Sequence, residues 1–426
     1  MSESETLSIL KLMHAEVVPA IGCTEPIAVA LAVSKACEVM GCQPEKIVAR
    51  LSANVLKNAM GVGIPGTGMF GLPIAVAIGV LVGKSEYGLE VLKDVNPTSL
   101  QQAIAYMDSG AISIEQKEEA TDKLYIEIEA TNGADRALVI ISRDHTRFTY
   151  VEFNGKILLE NALDQAPTAE NDTLDLSFDK VCDFAQQTSL DELRFMLKAA
   201  DLNRNAASES TKGNYGHSIG LIGTQPMAKK VMGDSMFTRI LSTTSSACDM
   251  RMAGALIPVM CNSGSGNQGI TATLPVTIYA DETGASEEAL IRALTLSHLM
   301  AIYIKQSLGK LSALCGAMIA GIGASCGMTY LMGGNREQIG FSVKNMIGNL
   351  TGIICDGAKP SCSIKVMSAA STAVVSALMA IENKVITQVE GIVDNDVDQS
   401  IRNLILIGAE GMLETDKLIL QIMTGK

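Results

Sequence analysis

The spacing of apolar residues changes abruptly along this chain, and this change limits the folds that the chain can adopt. Between about Ile112 and Glu160 apolar residues occupy every second position, as in "LYIEIEA" and "RALVIIS", which is typical of β-strands. Asn132-Gly133 and Asn154-Gly155 separate consecutive runs, and Asn-Gly favours a hairpin because both residues tolerate positive φ. This part predicts four or five antiparallel strands, backed by a helix near Pro97 to Met107.

The flanking parts of the chain show helical spacing instead. "VCDFAQQTSLDELRFMLKAADLNRNAA" places apolar residues three and four positions apart, which is typical of amphipathic helices. The polar, Pro-containing segment Asn161 to Thr173 predicts a linker. At 426 residues the chain exceeds the length at which a single core stops growing. We therefore predict an α+β fold: a large, mostly helical domain (1–85 and 175–426) interrupted by a small antiparallel-sheet α+β insertion (86–174).

Charge and cysteine content narrow the function classes. The net charge of −13 and the absence of a Lys/Arg cluster argue against a nucleic-acid partner, because phosphate binding needs clustered basic residues. The start "MSESETLSILKLMHAE" lacks the basic and apolar regions of a signal peptide, so we expect a cytoplasmic protein. In a reducing cytoplasm the ten cysteines are not expected to form disulfides, and a close pair indicates metal or redox chemistry.

Apolar content raises the question of a membrane protein. Hydrophobic residues make up 47% of the chain, and both Ala59 to Gly83 and Leu311 to Asn335 lack charge over a length that could span a bilayer. The first stretch contains Pro65 and Pro73, the second is rich in small residues, and the chain has no Trp for an interfacial belt. We expect buried helices of a soluble protein without a membrane partner, with a broken-helix transporter as the alternative.

The segment "CDGAKPSC" places two thiols at the ends of one tight loop. Gly357 and Pro360 predict a turn that brings Cys355 and Cys362 together. Helical patterns precede and follow this loop, which predicts Cys355 at the end of one helix and Cys362 at the start of the next. Cys362 would then lie in the first turn of a helix capped by Ser361, where the dipole and nearby lysines favour the thiolate.

Two thiolates seldom complete a metal site, so a third ligand is expected elsewhere. Cys315 and Cys326, in "CGAMIAGIGASCG", are the candidates. The spacing C-x6-C matches neither zinc nor ferredoxin motifs. A single free cysteine is more often a small buried hydrophobic residue, which is the alternative for each of these thiols.

Three further stretches carry possible chemistry. "PAIGCTEP" puts Cys23 at the exposed start of a helix, with Pro26 in its first turn, an environment typical of a reactive thiol, although a packed turn is equally consistent. "CNSGSGNQG", from Cys261 to Gly269, could bind a small carboxylate or amino group. His217 could act as an acid or base, although a single histidine is more often structural.

Four features together resemble a known family: "EVVPAIGCTEPIAVALA", "KNAMGVGIPGTG", "DMRMAGALIPVMCNSGSGNQGI" and a set of three cysteines. Over nearly its whole length the chain looks like the L-cysteine desulfidases, which are similar to the alpha part of iron–sulfur L-serine dehydratases. In those dehydratases, three cysteines hold a [4Fe-4S] cluster. The first begins a Gly/Ala-rich helix that ends in a Gly-Gly turn, matched here by Cys315 and Gly333-Gly334. The other two bracket an Asp-containing loop, matched by Cys355 and Cys362.

The resemblance implies α,β-elimination from a small amino acid. L-cysteine would yield pyruvate, ammonia and sulfide, and an iron atom without a protein ligand would act as a Lewis acid. It implies that Cys23 is the base or a thiol partner, with Glu25 and His217 as alternatives for the base. The substrate-binding residues that it implies are Thr24, Glu25, Asn58, Asn262, Ser263, Gly264 and Asn267.

Several alternatives stay open. L-serine dehydratase activity is one, although Cys23 favours cysteine as substrate. A non-catalytic, metal-stabilised binding protein is another. Pyridoxal phosphate is not expected, because no lysine stands in a recognisable phosphate-binding context. The end "LETDKLILQIMTGK" lacks the terminal cysteine that can reach the fourth iron in the dehydratases, so regulation by such a tail is not expected. A homodimer is possible.

Overall fold

The structure, a computed structural model, describes residues 1–118, 122–161, 174–309 and 311–425. Within these residues, helices make up most of the chain and the strands form two sheets. The predicted α+β class is therefore confirmed. Most of the predicted linker, from 162 to 173, lies outside the described residues.

The first part of the chain carries the strands of the main sheet. Its elements are α1 (Glu3–Glu16), β1 (Pro19–Ile21), α2 (Thr24–Met40), β2 (Lys46–Leu51), α3 (Ala53–Ala59), α4 (Leu72–Val82), a 3-10 helix (Ser85–Glu90), α5 (Pro97–Asp108), β3 (Ile112–Gln116), β4 (Tyr125–Asn132), β5 (Asp135–Ser142), β6 (Phe148–Phe153) and β7 (Lys156–Glu160).

The second part is helical apart from one short strand. Its elements are α6 (Phe178–Gln187), α7 (Leu190–Leu193), α8 (Met196–Ser210), α9 (Ile219–Ile222), α10 (Pro226–Met232), α11 (Met236–Met252), β8 (Pro258–Met260), α12 (Gly266–Thr283), α13 (Glu287–Leu308), α14 (Gly316–Leu331), α15 (Arg336–Leu350), α16 (Cys362–Ile381), α17 (Val397–Leu406), a π-helical turn (Ile407–Gly411) and α18 (Leu413–Thr424).

The main sheet has the order β3-β2-β4-β5-β6-β7. Its hairpins turn where the sequence predicted them, with positive φ at Gly133, Asn154 and Gly155. The sheet is mixed and not purely antiparallel, because β2 and β3 run parallel. Since β2 precedes residue 86, the sheet also takes a strand from before the predicted insertion. The division into two domains itself stays a prediction.

The alternation in the strands explains how the sheet packs. Every second residue of β2, β4 and β5, such as Ala49, Ile128 and Val139, is buried in a hydrophobic core shared with α2 and α4. The opposite face carries charged residues such as Arg50 and Glu129, which form an ion pair. One face of the sheet is therefore covered by helices, whereas the other is polar.

A second core lies among the helices of the C-terminal part, around α14. This helix packs against α12, α13, α15 and α16. Its glycines allow the close approach: a Cβ atom at Gly323 would lie 2.1 Å from Ser297 O, and one at Gly327 would lie 2.7 Å from Ala293 O. The small, uncharged residues of this stretch thus permit tight packing between helices.

The two long uncharged stretches form helices too short to span a bilayer, α4 and α14. Among the described residues, α16 is the one helix whose length and composition would suffice, and 44% of its most apolar stretch is buried inside the protein. Length and composition of a single helix are weak support for a membrane span, because core helices of soluble proteins share them.

Candidate active site

Four helices begin at one cavity of about 90 Å³. Residues of the first turns of α2, α12, α14 and α16 line it. Helix N-termini carry partial positive charge and free N–H groups, so the cavity favours a negatively charged occupant. A single water needs roughly 10–15 Å³ of such space. The cavity therefore has room for several waters or one small ligand.

Three cysteines line this cavity: Cys315, Cys355 and Cys362. An isolated antiparallel bridge between Leu314 and Ile354 holds the first two segments together. Cys315 N donates to Ile353 O at 3.0 Å, and Cys355 N donates to Ala313 O at 2.6 Å. The side chains of Cys315 and Cys355 therefore point to the same face of this short antiparallel pair. The two residues are diagonal neighbours, which places their Cα atoms about 7–8 Å apart.

The third cysteine lies where α16 begins. Cys362 is the first residue of this helix, as predicted, and its Sγ lies 3.6 Å from Gly357 O. Two details of the prediction are wrong. Ser361 makes no capping hydrogen bond because its backbone is already helical (φ −68°, ψ −6°). Cys355 does not lie at a helix end, since α15 stops at Leu350 and an extended segment follows.

Asp356 clamps the loop between Cys355 and Cys362. Its Oδ2 lies 2.6 Å from Lys359 Nζ, and its Oδ1 lies 2.5 Å from Lys365 Nζ. Burial opposes ionisation of this carboxyl group, but the two ammonium groups outweigh burial and hold its pKa at about 2. The loop is therefore fixed by its own ion pairs.

Of these three thiols, that of Cys315 is buried, whereas those of Cys355 and Cys362 are half-buried. Burial and the neighbouring thiol of Cys355 raise the pKa of Cys315 to about 12. Burial, followed by the effect of Cys355, also raises the pKa of Cys362. Lys359 and Lys365 lower the pKa of Cys362, as the sequence predicted, but burial outweighs them, so the expectation of a favoured thiolate is wrong. Within the described ranges, no three His, Cys, Asp or Glu side chains are gathered closely enough to hold a metal ion.

A second group of side chains lines the cavity at the start of α2. Cys23 Sγ donates to Glu25 Oε2 at 3.0 Å, and Asn58 Nδ2, from α3, donates to Glu25 Oε1 at 3.0 Å. The Thr24 hydroxyl donates to Gly264 O at 2.8 Å. The structure thus brings Glu25 together with four other residues that the resemblance implicated: Cys23, Thr24, Asn58 and Gly264.

Cys23 is buried, whereas the sequence predicted an exposed thiol. Burial, followed by the adjacent Glu25 carboxylate, raises its pKa well above the usual value. Burial also opposes ionisation of Glu25, but the imidazole of His145 and the thiol of Cys23 hold the pKa of Glu25 below its usual value. At neutral pH the proton therefore resides on sulfur and the negative charge on the carboxylate.

The polar turn before α12 is only partly at the cavity. Gly264 and Asn267 line it, whereas Asn262 and Ser263 do not. Asn262 Nδ2 lies 3.1 Å from both Nδ1 and the carbonyl oxygen of His298, and its Oδ1 accepts from Ser263 Oγ at 2.9 Å. Asn262 and Ser263 therefore stabilise the turn through hydrogen bonds inside the protein and do not line the cavity.

Asn267 is also occupied within the protein. Its Oδ1 accepts from Arg251 Nη1 at 3.0 Å and from Cys248 Sγ at 3.4 Å. Arg251, near the end of α11, is buried and lines the cavity. Asn267 therefore orients Arg251.

Three side chains of the cavity that can carry charge escaped the sequence prediction: Arg251, Lys305 and His145. Arg251 lies inside a stretch quoted for the family resemblance, so a signal for it was present, and Gln268 lies in the polar turn that the sequence predicted to bind a small carboxylate or amino group. Burial lowers the pKa of Lys305, at the end of α13, to about 8. His145 comes from the turn between β5 and β6, where Arg143 has a φ of 69°. No spacing in the sequence relates this turn to the helices.

Two other candidates lie away from the cavity. His217 is exposed and does not line it. Cys326 is buried in the continuous helix α14 and contacts Ser342 Oγ at 3.9 Å. Its distance from Cys315 along this helix is about 16 Å at 1.5 Å per residue. The third thiol at the cavity is therefore Cys315.

Comparison with known proteins gives the family. A family model described as serine dehydratase alpha chain matches residues 86–421. The chain belongs to the serine dehydratase alpha chain family. This family groups serine dehydratase-like lyases and is associated with iron–sulfur enzymes. The matched region contains Cys315, Cys355 and Cys362, together with His145 and Arg251.

A second group of similar proteins matches the whole chain. A UPF0597 protein of Bacteroides fragilis is 59% identical over 426 residues, which covers 100% of both chains. A UPF0597 protein of Porphyromonas gingivalis is 52% identical over 432 residues, with 100% of both chains covered. A UPF0597 protein of Aeromonas hydrophila is 44% identical over 429 residues, covering 100% of this chain and 97% of its own. The likeness to UPF0597 proteins thus covers the whole chain, whereas the serine dehydratase alpha chain model covers residues 86–421.

Proposed function

We propose that this protein is an iron–sulfur-dependent lyase that converts L-cysteine to pyruvate, ammonia and sulfide. The Cα–H and Cβ–S bonds break to give aminoacrylate and hydrogen sulfide, and water then converts aminoacrylate to pyruvate and ammonia. The observation that carries the proposal is the meeting of three cysteines with the Cys23–Glu25 pair in one small cavity.

The donor set suits a [4Fe-4S] cluster held by Cys315, Cys355 and Cys362. Thiolates are the ligands that iron–sulfur clusters use, and the helix N-termini around the cavity favour the negative charge of such a centre. Cys315 and Cys355 would hold such a group from the two segments joined at the Leu314–Ile354 bridge, and Cys362 would hold it from the start of α16.

When bound, a cluster with three protein ligands would supply one iron atom open to the substrate, a Lewis acid for its carboxylate and its departing β-group. The rest of the chemistry falls to the chain itself. Lys305 lines the cavity and is buried there. Its ammonium group adds positive charge to the cavity.

The Cys23–Glu25 pair can take the α-proton. As Cys23 Sγ accepts that proton, its own proton moves along the existing 3.0 Å hydrogen bond to Glu25 Oε2. Cys23 then ends as a thiol and Glu25 as a carboxylic acid, so a free thiolate is not required. This relay makes Cys23 the residue that touches the substrate and Glu25 the final base.

L-serine, which would lose water, is the second candidate. We favour cysteine because Cys23, which the resemblance to the L-cysteine desulfidases makes the base or a thiol partner, lines the cavity. We also propose that the enzyme is cytoplasmic and that its partner is a small amino-acid substrate, without nucleic acid or membrane. A homodimer is one oligomeric state that stays open.

Anaerobic purification followed by spectroscopy tests the proposal. We expect a brown protein that contains iron and acid-labile sulfide and forms pyruvate from L-cysteine faster than from L-serine. A faster reaction with L-serine would make it a serine dehydratase. A colourless zinc protein without turnover would indicate the metal-stabilised binding protein, and a hydroxylamine-sensitive aldimine band without iron would indicate pyridoxal phosphate chemistry.

A further inference from the structure

A second pair of thiols lies at the end of α2 that points away from the cavity. Cys37 is in the last turn of this helix, and Cys42 follows the glycine that ends it. Gly41 has a φ of 74° and a ψ of 9°, and its N–H donates to Cys37 O at 2.8 Å. In a helix ending of this kind, the residue after the left-handed glycine frequently contacts the residue that accepts the glycine N–H. The turn therefore brings Cys42 back to Cys37.

Contacts with neighbouring elements hold this turn in place. Asn132 Nδ2, at the end of β4, lies 3.3 Å from Cys42 Sγ and donates to Gln43 O at 3.1 Å. The Tyr106 hydroxyl, from α5, donates to Pro44 O at 2.9 Å. The segment that carries Cys42 is thus fixed against both the sheet and a helix, which defines where its sulfur lies relative to α2.

The two thiols differ in their access to solvent. Cys42 is exposed, whereas Cys37 is half-buried against the core that the sheet shares with α2. Burial, followed by the charge of Cys42, raises the pKa of Cys37 to about 12, so the two sulfurs are close enough to influence each other. A small reagent therefore reaches Cys42 first. The proximity of Cys37 offsets its small thiolate fraction, because an intramolecular partner acts at a high effective concentration.

We propose that Cys37 and Cys42 are a redox-active pair that forms a disulfide by exchange with a small disulfide. Cys42 Sγ attacks one sulfur of the small disulfide, whose S–S bond breaks, and one small thiol leaves. Cys37 Sγ then attacks Cys42 Sγ, and the second small thiol leaves. The two cysteine protons end on the released thiols, so the protein is oxidised by two electrons and the small disulfide is reduced by the same two. Transient disulfides of this kind are the ones that occur in reducing compartments.

This pair is separate from the thiols of the cavity. Neither Cys37 nor Cys42 lines the cavity. Cys37 is fourteen residues from Cys23, a distance of about 21 Å at 1.5 Å per residue along α2. Oxidation of the pair therefore neither needs nor consumes the thiols proposed for the cluster and for proton transfer.

Exchange with oxidised glutathione, followed by tryptic digestion, tests the proposal. Both cysteines lie on one tryptic peptide, 36–46, which contains no other cysteine. The anaerobically purified protein is incubated with oxidised glutathione, and the remaining free thiols are then alkylated under denaturing conditions. We expect most of this peptide to be unalkylated and lighter than the reduced peptide by two hydrogen atoms. Dithiothreitol should restore both alkylation sites.

Single variants separate the two steps. Cys37→Ser should stop after the first step and keep glutathione on Cys42. Cys42→Ser should leave Cys37 open to alkylation, because the exposed thiol that starts the exchange is missing. Cys182→Ala is the matched control: it removes a buried thiol of α6, and it should form the Cys37–Cys42 disulfide to the same extent as the wild type.

Three results would overturn the proposal. They are a wild-type protein that keeps glutathione on Cys42 while Cys37 is alkylated, a disulfide that joins Cys42 to a different cysteine, and a peptide 36–46 that stays fully alkylated. All three are observed on the wild-type protein, so the proposal can be overturned even if a variant does not fold.

Discussion

Cys23 donates its thiol hydrogen to the Glu25 carboxylate across 3.0 Å, and both side chains are buried at the start of α2. Burial raises the pKa of this thiol, while Glu25 stays ionised. The pair therefore holds one movable proton beside a cavity that three other cysteines also line. This relationship separates the thiol proposed for proton transfer from the thiols proposed for the cluster.

The first prediction concerns Cys23. Cys23→Ser should lower the rate of pyruvate formation from L-cysteine at least about a hundredfold, because a positioned proton-transfer group contributes about 10²- to 10⁴-fold. Iron content and the visible spectrum should equal those of the wild type. Cys182→Ala, a change in the helical core away from the cavity, should leave the rate unaffected. A colourless Cys23→Ser protein would instead make Cys23 a cluster ligand.

The second prediction concerns the cluster ligands. Cys355→Ser and Cys362→Ser should each lose most of their iron and sulfide after anaerobic purification, since each removes one of three protein thiolates. Cys326→Ala should retain both, because that thiol is buried within α14 and does not reach the cavity. Iron loss in Cys326→Ala alone, with iron kept in the other two variants, would contradict the assignment.

The third prediction concerns His145, which we propose as a positioning residue for the charge of Glu25. Glu25 faces His145 from the β5–β6 turn, Arg251 from α11 and Cys23 from its own helix start. Loss of the imidazole in His145→Gln should raise the pKa of Glu25. The acidic limb of kcat/KM should then move up by about one pH unit, a usual effect of one nearby charge. Cluster content should not change, and an unmoved limb would speak against this role.

The sequence predicted the features that depend on local pattern. Strand alternation and Asn-Gly turns are short-range signals, so β4 to β7 lie where the pattern indicated them. The strand β2 was missed because "KIVARL" is a single short run between helical segments. Its place next to β3 and β4 is decided by long-range pairing.

The candidate site was predicted where motifs reach it and missed elsewhere. Cys315, Cys355 and Cys362 were placed together through the family resemblance, and the structure brings them to one cavity. His145 reaches that cavity only because the sheet packs beside the helices, which no local pattern encodes. The burial of Cys23 could not be predicted either. The local sequence indicates that a helix begins at this point, but it does not indicate which distant segments cover that helix start.

The fourth prediction concerns an ion pair between Lys57 of α3 and Asp416 of α18. Lys57 is only 1% exposed, so Asp416→Ala would leave a buried charge without its partner. We expect the free energy of unfolding to fall by about 3 kcal/mol. Much of this loss should return in the double variant with Lys57→Met. Glu414→Ala removes an exposed ion pair with Lys417 from the same helix and should change stability by less than about 0.5 kcal/mol. Equal losses of unfolding free energy in Asp416→Ala and Glu414→Ala would contradict the prediction that the buried pair contributes more than the exposed one.

The last prediction concerns His298, which lies wholly inside the helical part. Asn262 Nδ2 lies 3.1 Å from its Nδ1, and Thr273 Oγ1 lies 3.0 Å from its Nε2. Because Asn262 donates to Nδ1 and the Thr273 hydroxyl donates to Gly269 O at 2.6 Å, the network fixes a neutral ring that carries its hydrogen on Nε2. Burial lowers the pKa of His298 from 6.5 to about 3.

A depressed histidine pKa makes the folded state less stable in acid. Between pH 6.5 and about 3, the unfolded chain binds a proton that the folded protein does not. The free energy of unfolding should therefore fall by about 1.4 kcal/mol for each pH unit below 6.5, and this contribution is absent above pH 6.5. Urea unfolding at pH 7.5 and 5.5 measures it against His298→Gln, which cannot titrate. The decrease on acidification should be smaller in His298→Gln by about 1.4 kcal/mol. An equal decrease in both proteins would mean that the folded protein protonates His298 as readily as the unfolded chain does.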